Sequence, residues 1–222
     1  GRTYLSHLLT TSVGFALPAL IFCFVKSGGD LTFSPEGFLA GKIGRTEAIV
    51  ALLAFTIGFA KAGFMPFHSW LPFAMVAPTP VSALLHAVAV VKVGVFCVIR
   101  VFTGVFGTDM LQDLDIGVIV SWIAAFTVVT SSLIALSQDN LKRRLAFSTI
   151  GQLAYIILGV SLLTDRAVMG SMMHIAMHAC GKITLFFCAG AIFVAVGKKY
   201  IRQMDGHGRK MTINIGAFAI GA

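Results

Sequence analysis

The sequence predicts an all-α, polytopic membrane helix bundle in which some helices are discontinuous. Hydrophobic residues make up 57% and charged residues 12% of the 222 residues, whereas soluble domains have about one half and one quarter. Apolar runs long enough to cross a bilayer recur along the whole length. Four of the six prolines fall between positions 66 and 80, where they should interrupt helices. We therefore expect one transmembrane domain over residues 1–222, without a soluble domain.

Apolar windows define the order of the membrane spans. The final run begins near residue 211 and is too short to cross a hydrocarbon core about 30 Å thick. The chain also begins without a methionine, so we expect a fragment of a longer protein, truncated at both ends. The six predicted spans lie near residues 8–25, 47–65, 81–103, 116–137, 144–163 and 167–197.

The loops between the spans alternate in charge. Two basic loops are separated by two crossings, and basic loops mark the cytoplasmic side of a membrane. The net charge of +8 therefore follows from topology and does not by itself indicate nucleic acid or anionic lipid. As for any membrane protein, the lipid bilayer is an expected partner, and no nucleic acid is expected. We place the chain as a multi-pass protein in the inner membrane of a bacterium. The basic loops contain Lys142, Arg143 and Arg144, and then Lys198, Lys199, Arg202, Arg209 and Lys210.

Lys61 lies inside the second apolar run. A charge at bilayer depth costs roughly 2.5–3.5 kcal/mol on insertion scales, so its presence needs a reason. Pro66 cannot donate a hydrogen bond to the carbonyl of Ala62, which predicts a kink or stop one turn beyond Lys61. Broken helices in membranes line cavities or ion paths, which makes Lys61 a candidate site residue. A packing helix with a snorkelling lysine is the alternative.

The third span contains His86 and Lys92. Their spacing places them about 120° apart on a helix, so they should serve successive positions rather than one face. Lys92 lies midway along the predicted span, too deep to reach the interface, which favours a functional role. A hydrogen bond to a neighbouring helix is the alternative for His86.

Lys142 follows the fourth span. Asp139 or Asn140 can cap the next helix, which leaves Lys142 in its first turn, where the helix dipole disfavours a cation. A site residue and a basic topology anchor are both compatible with this position.

The sixth span carries His174, His178 and Lys182 at intervals of four residues. This spacing places them on one helix face over about 12 Å. Imidazoles that change charge near neutral pH suit a proton relay. A metal site at the two histidines is a weaker alternative because no acid lies in any span and Cys180 is on another face. A haem held by His86 and His174 is also weaker, and we expect neither a cofactor nor a metal.

The counter-charges of the buried bases are missing from the spans. All nine acidic residues fall in loops or at span ends. A set of buried, unpaired bases is costly, so acids should come from other helices or another subunit. No nucleotide-binding motif is present, and NADH chemistry is therefore not expected in this chain.

Three stretches of the sequence carry a resemblance to one membrane-protein family. They read FAKAGFMPFHSWLPFAMVAPTPVSALLHAVAVVKVGVF, DNLKRRLAFSTIGQLAY and MHIAMHACGKITLFFCAGAI, followed by RQMDGHGRKM. In this order they resemble the antiporter-like membrane subunits shared by respiratory complex I, membrane-bound hydrogenases and Mrp-type cation/proton antiporters. The segment AMVAPTPVSALLHAVAVVK is most similar to the D-type component of the Mrp antiporters, which is related to complex I subunits M and L.

The resemblance implies inverted repeats, each with a broken helix and a central charge. It implies that Lys61 is the broken-helix lysine and that Lys92 matches a lysine of complex I subunit M and of the D-type antiporter component. The family's glutamate partner of Lys61 would precede Gly1, and the second broken helix would begin after Met211. The remaining proton-path residues that it implies are His86, Lys142, His174, His178 and Lys182.

The resemblance also implies a function. We expect a proton-translocating subunit of a multi-subunit monovalent cation:proton antiporter, with other membrane subunits as partners and protons and sodium as candidate ions. By itself such a chain is a transporter. The alternative is a proton-pumping subunit of NADH:quinone oxidoreductase (complex I) or of a membrane-bound hydrogenase. A haem- or quinone-binding redox subunit and a purely structural subunit are two further classes.

Overall fold

The computed structural model describes residues 2–34, 36–84, 89–204, 206 and 211–221. Within these residues the chain forms helices, turns and one isolated β-bridge, and no strand, as the sequence predicts. The α-helices are α1 Arg2–Thr11, α2 Leu17–Ser27, α3 Arg45–Gly58, α4 Trp70–Phe73, α5 Thr79–Ala83, α6 Val90–Arg100, α7 Thr108–Asp113, α8 Gly117–Ser137, α9 Leu141–Ser161, α10 Asp165–Val196 and α11 Thr212–Gly221.

Four helical stretches are long and apolar enough to cross a membrane. They confirm the first, fourth, fifth and sixth predicted spans, with ends shifted by a few residues. A π-helical turn, Ser12–Ala16, joins α1 to α2 just before Pro18, which lacks the N–H that a regular helix would need there. The stretches are Leu5–Ser27, Gly117–Ser137, Leu141–Ser161 and Asp165–Val196.

The second predicted span is broken, but earlier than the proline rule places the break. We predicted a kink or stop one turn beyond Lys61; instead α3 ends at Gly58, and Lys61 lies in a 3-10 turn, Ala60–Ala62. Gly58 packs so closely against the first membrane span that an added Cβ would lie 2.6 Å from the backbone nitrogen of Ala16. Gly63 then adopts a φ of 73°, which favours glycine. Two glycines therefore set the break around Lys61.

Helix α6 covers the broken segment. A Cβ added at Gly94 would lie 2.5 Å from the nitrogen of Ala62 and 2.9 Å from the carbonyl carbon of Lys61. Both are backbone atoms, so the movement of a flexible side chain could not relieve the clash. Glycine at position 94 therefore allows α6 to lie directly against the 3-10 turn.

Helices α8, α9 and α10 form the continuous part of the bundle. Small residues bring α8 and α9 together: an added Cβ at Gly117 would lie 2.5 Å from the carbonyl oxygen of Ser161. The hydroxyls of Ser121 and Ser161 are 2.8 Å apart. Close packing through Gly and Ser is typical of membrane helices. The outer face of α8 is apolar and exposed, with Trp122 and Leu136 each 74% exposed, as a lipid-facing surface would be.

The two basic loops lie at the same end of the bundle, as their charge pattern predicts. The backbone N–H of Leu141 donates to the carbonyl of Lys199 at 3.3 Å, and that of Ile201 to the carbonyl of Asp139 at 2.9 Å. At the other end of α8, about 31 Å away, the loop 28–44 meets residues 105–107 through a bond from Leu39 N–H to the Val105 carbonyl.

The close approach at Gly94 gives a prediction for stability. Gly→Ala in a helix interior normally stabilises by about 0.5–1 kcal/mol. Gly94→Ala should instead lower the thermal unfolding midpoint of the full-length chain in detergent, because overpacking costs about 1–3 kcal/mol.

Gly170→Ala is the matched control, since an added Cβ there meets nothing within 4 Å. An unchanged or raised midpoint for Gly94→Ala would contradict the close approach.

Candidate functional site

Three buried bases from two helices meet inside the bundle. Lys92 of α6 is 7% exposed, and His178 and Lys182 of α10 are 7% and 4% exposed. The Lys92 ammonium contacts Nδ1 of His178. An ammonium has only donors, so the neutral ring must accept at Nδ1 and carry its own proton on Nε2. Among the described residues, Nε2 of His178 has no hydrogen-bond partner, which leaves one N–H of the ring available.

His174 extends the cluster by one turn of α10. Its ring stacks on that of His178, with centroids 6.0 Å apart and planes 15° from parallel. Nε2 of His174 is 2.8 Å from Oε1 of Gln152 on α9. Because an amide oxygen only accepts, this contact assigns the ring proton to Nε2 and leaves Nδ1 as the acceptor.

Lys182 extends the cluster in the other direction. Its ammonium donates to the hydroxyl of Ser148 on α9 at 2.8 Å. Ser148 and Gln152 are four residues apart, so α9 presents one polar face to the basic face of α10. Sequence reasoning missed both residues. The signal was the same four-residue spacing that singled out the histidines, here in the apolar segment LAFSTIGQLAY.

Lys61 lies at the depth of this cluster but on the other side of α6. Its turn touches α6 at Gly94, whereas Lys92, two residues away, points about 200° around the helix, toward α10. Gly63 lies beside Ile150 and Leu153, in the middle of α9. The side chain of Lys61 is half-buried.

Lys142 lies nearer the basic end of the bundle. Asn140 caps α9 by accepting from the N–H of Arg143 at 3.2 Å, so Lys142 is in the first turn, as predicted. Its ammonium lies 5.8 Å from the ring centroid of Phe193 on α10. Along α9, Lys142 is about 9 Å from Ser148. His86, the remaining predicted site residue, lies outside the described residues.

Neutral groups satisfy the buried lysines. In the described part of the chain, neither Lys92 nor Lys182 forms an ion pair with a carboxylate. Glu47, the acid in the first turn of α3, pairs instead with Lys26 at 2.7 Å, and both side chains are exposed. The cluster therefore combines ammonium donors with imidazole, hydroxyl and amide groups at hydrogen-bond distance, and the last three can both donate and accept.

The chain that holds this cluster also matches a known family over nearly its whole length. Residues 5–222 match the family described as NADH:quinone oxidoreductase/Mrp antiporter, transmembrane. The chain belongs to this family. It is therefore an antiporter-like membrane subunit of the kind found in Mrp and complex I-type complexes.

Curated relatives and solved structures agree with the family. The chain is 39% identical over 205 residues to F(420)H(2) dehydrogenase subunit L of Methanosarcina mazei, covering 91% of this chain and 29% of the relative. It is 32% identical to NADH-quinone oxidoreductase subunit L of Pseudomonas aeruginosa, covering 100% of this chain and 36% of the relative. The chain thus spans about a third of the length of these relatives.

Two solved assemblies contain a similar fold. A chain of the Mrp complex from Dietzia sp. aligns with a TM-score of 0.76 and 25% identity, covering 100% of this chain and 26% of that one. A chain of the membrane-bound sulfane sulfur reductase, an archaeal respiratory membrane complex, aligns with a TM-score of 0.82 and 29% identity, covering 99% and 45%. Both neighbours belong to membrane complexes.

The contact between Ser148 and Lys182 gives a prediction for stability. Ser148→Ala should destabilise the full-length chain by about 1–3 kcal/mol, because it removes an acceptor from a buried ammonium. Ser148→Thr keeps the hydroxyl and should recover most of the loss in thermal unfolding midpoint.

Ser132→Ala is the control, since that hydroxyl donates to the Val128 carbonyl of its own helix. If the alanine variants at 148 and 132 had the same midpoint, Ser148 would not be holding Lys182.

Proposed function

We propose that this chain is a proton-translocating subunit of a membrane complex. Protons move through the buried bases Lys92, His178, His174 and Lys182, with Lys142 at the basic end and Lys61 at the helix break. His86 belongs to the same path on sequence grounds. The membrane is the plasma membrane of a bacterium, with the basic loops on the cytoplasmic side.

The contact between Lys92 and His178 is the observation that carries this proposal. Two bases that could each be charged touch inside a bundle, without a carboxylate beside them among the described residues. Ionisable groups within membrane helices are expensive and are kept mainly for transport or proton transfer. A structural role alone would be served better by apolar residues at both positions.

Proton transfer at this contact follows from the ring tautomer. Lys92 donates from its ammonium to Nδ1 of His178, which makes the ring an imidazolium. The ring then releases the proton on Nε2, so one proton enters at one nitrogen and another leaves at the other. His178 returns to neutral with its ring proton on Nδ1, and a second transfer or a ring turn resets it.

The α9 polar face keeps the neighbouring groups in place. The amide oxygen of Gln152 accepts from Nε2 of His174, which leaves Nδ1 as the acceptor of that ring. The hydroxyl of Ser148 accepts from the Lys182 ammonium. Ser148 contacts Lys182 of α10 and lies about 9 Å along α9 from Lys142. A path from the cluster toward the basic end therefore follows α9.

Lys61 has a different part in the proposal. It lies at a helix break and is half-buried. We propose that a carboxylate outside residues 1–222 pairs with it, and that making and breaking this ion pair changes how readily protons pass.

Two kinds of complex fit the chain about equally. One is a multi-subunit monovalent cation:proton antiporter with sodium as the candidate cation, supported by the likeness to the Mrp complex. The other is a respiratory complex of the NADH-quinone oxidoreductase type, supported by the subunit L relatives. In both, other membrane subunits and the lipid bilayer surround the chain. Sodium-dependent proton movement by the purified complex would favour the first, and movement driven by quinone reduction the second.

Lys92→Arg tests whether the lysine releases its proton. Arginine keeps the charge but does not deprotonate in proteins. We expect proton flux by the complete complex in vesicles to fall by about 10²-fold or more, because proton transfer groups contribute on this scale.

Lys42→Arg, in an exposed loop, should leave the flux unchanged. An active Lys92→Arg variant would limit Lys92 to an electrostatic role.

The histidine pair gives a second test of the relay. His174→Leu/His178→Leu should leave the subunit assembled in its complex but slow proton flux severalfold, because two imidazoles that can accept and release a proton are lost while the apolar packing is kept. The measurement is pH-jump flux in vesicles.

Met173→Leu/Met177→Leu is the matched control, with the same spacing on the exposed side of α10. Wild-type flux in the histidine double variant would refute the relay.

A further inference from the structure

A cavity opens at the basic end of the bundle, beside the path described above. It has a volume of about 600 Å³ and lies between the segment 72–78, the beginning of α9 and the end of α10. One wall is apolar and includes Phe73 and Phe193. The other wall is cationic, with Lys142, Arg143, Lys198 and Lys199.

The cationic wall concentrates like charges. The ammonium of Lys142 lies 5.8 Å from the ring centroid of Phe193, and that of Lys199 lies 5.6 Å from the same ring. No acidic residue lines the cavity in the described part of the chain. The carboxylate of Asp139, just before α9, accepts instead from the backbone N–H of Arg202 at 3.2 Å. Four bases therefore face one space that is lined by no carboxylate from the described residues.

The backbone holds these bases in one arrangement. The loops that carry them are joined by the bonds from Leu141 N–H to the Lys199 carbonyl and from Ile201 N–H to the Asp139 carbonyl. Asn140 and Tyr200 form the bridge between them. A positive-inside charge bias requires only that bases lie in loops on one side. It does not require that bases from two loops converge on a cavity with an apolar wall.

The position and the two walls indicate the ligand. The cavity lies where α8 ends and α9 begins, and the ends of membrane-length helices are where the headgroup region of a bilayer is expected. Phe73 is 63% exposed, so the apolar wall continues onto the outer surface. Basic pockets between membrane helices on the positive side suit anionic lipid headgroups. We propose that this cavity binds an anionic phospholipid, with the phosphate on the bases and an acyl chain along Phe73 and Phe193.

Lipid binding is tested on the purified complex with its full-length chain. After delipidation in detergent, native mass spectrometry is used to titrate phosphatidylglycerol, phosphatidylcholine and inorganic phosphate. We expect phosphatidylglycerol to bind more tightly than the other two. Lys198→Gln/Lys199→Gln should weaken its binding about thirtyfold, because each base near the surface contributes about 1 kcal/mol.

Two further variants serve as controls. Lys198→Arg/Lys199→Arg keeps the charge and should bind like the wild type, which separates loss of charge from loss of folding. Lys42→Gln/Arg45→Gln removes two exposed bases from the opposite end of the bundle, one in the loop 28–44 and one at the start of α3, and should also bind like the wild type.

Three results would overturn the proposal. They are equal binding of phosphatidylglycerol and phosphatidylcholine, binding of inorganic phosphate as tight as that of the lipid, and unchanged binding in the Lys198→Gln/Lys199→Gln variant. The test reads lipid affinity rather than proton flux. Its outcome is therefore independent of whether the chain translocates protons.

Discussion

The constraint on which this fold depends is the need to cover irregular backbone inside a membrane. No water is available there to satisfy free N–H and carbonyl groups, so a broken helix is tolerated only against protein or a wet cavity. The break at Lys61 is covered by α6 at Gly94 and by the middle of α9 at Gly63, and α3 ends against the first span at Gly58. Glycine at positions 58 and 94 permits the close approach, and glycine at position 63 permits the backbone turn, with its φ of 73°.

The same packing brings the functional groups together. Because α6 lies with one face against the break, its other face carries Lys92 to His178 on α10. Helix α9 then completes the cluster with Ser148 and Gln152. The helix that covers the break thus also supplies a base to the proposed relay. A change at the broken segment can therefore reach the cluster through the position of α6, without a direct contact between Lys61 and Lys92.

The basic residues at the end of the bundle have two separate properties, which are their position in loops and their convergence on a cavity. Their position in loops agrees with the topology of a multi-pass protein. Their convergence on a cavity beside Phe193 is a separate property, since it depends on the pairing of two loops that are distant in sequence. Lys142 belongs to both the cavity wall and the predicted proton path, so the proposed lipid site and the proposed path share this residue.

The sequence by itself determined the fold class, four membrane-length spans, a helix cap at Asp139 or Asn140, of which the structure uses Asn140, and the positions of the buried bases within helical or broken segments. These bases are Lys61, Lys92, His174, His178 and Lys182. These features depend on composition, spacing and local chemistry. Tertiary structure decided the rest. The break came before Lys61 rather than after it because α3 ends where Gly58 packs against Ala16 of the first span. The proline rule considers only neighbouring positions in the sequence and does not include such a contact. The contacts of Lys92 with His178 and of Lys182 with Ser148 join residues far apart in the chain, which no local spacing can specify.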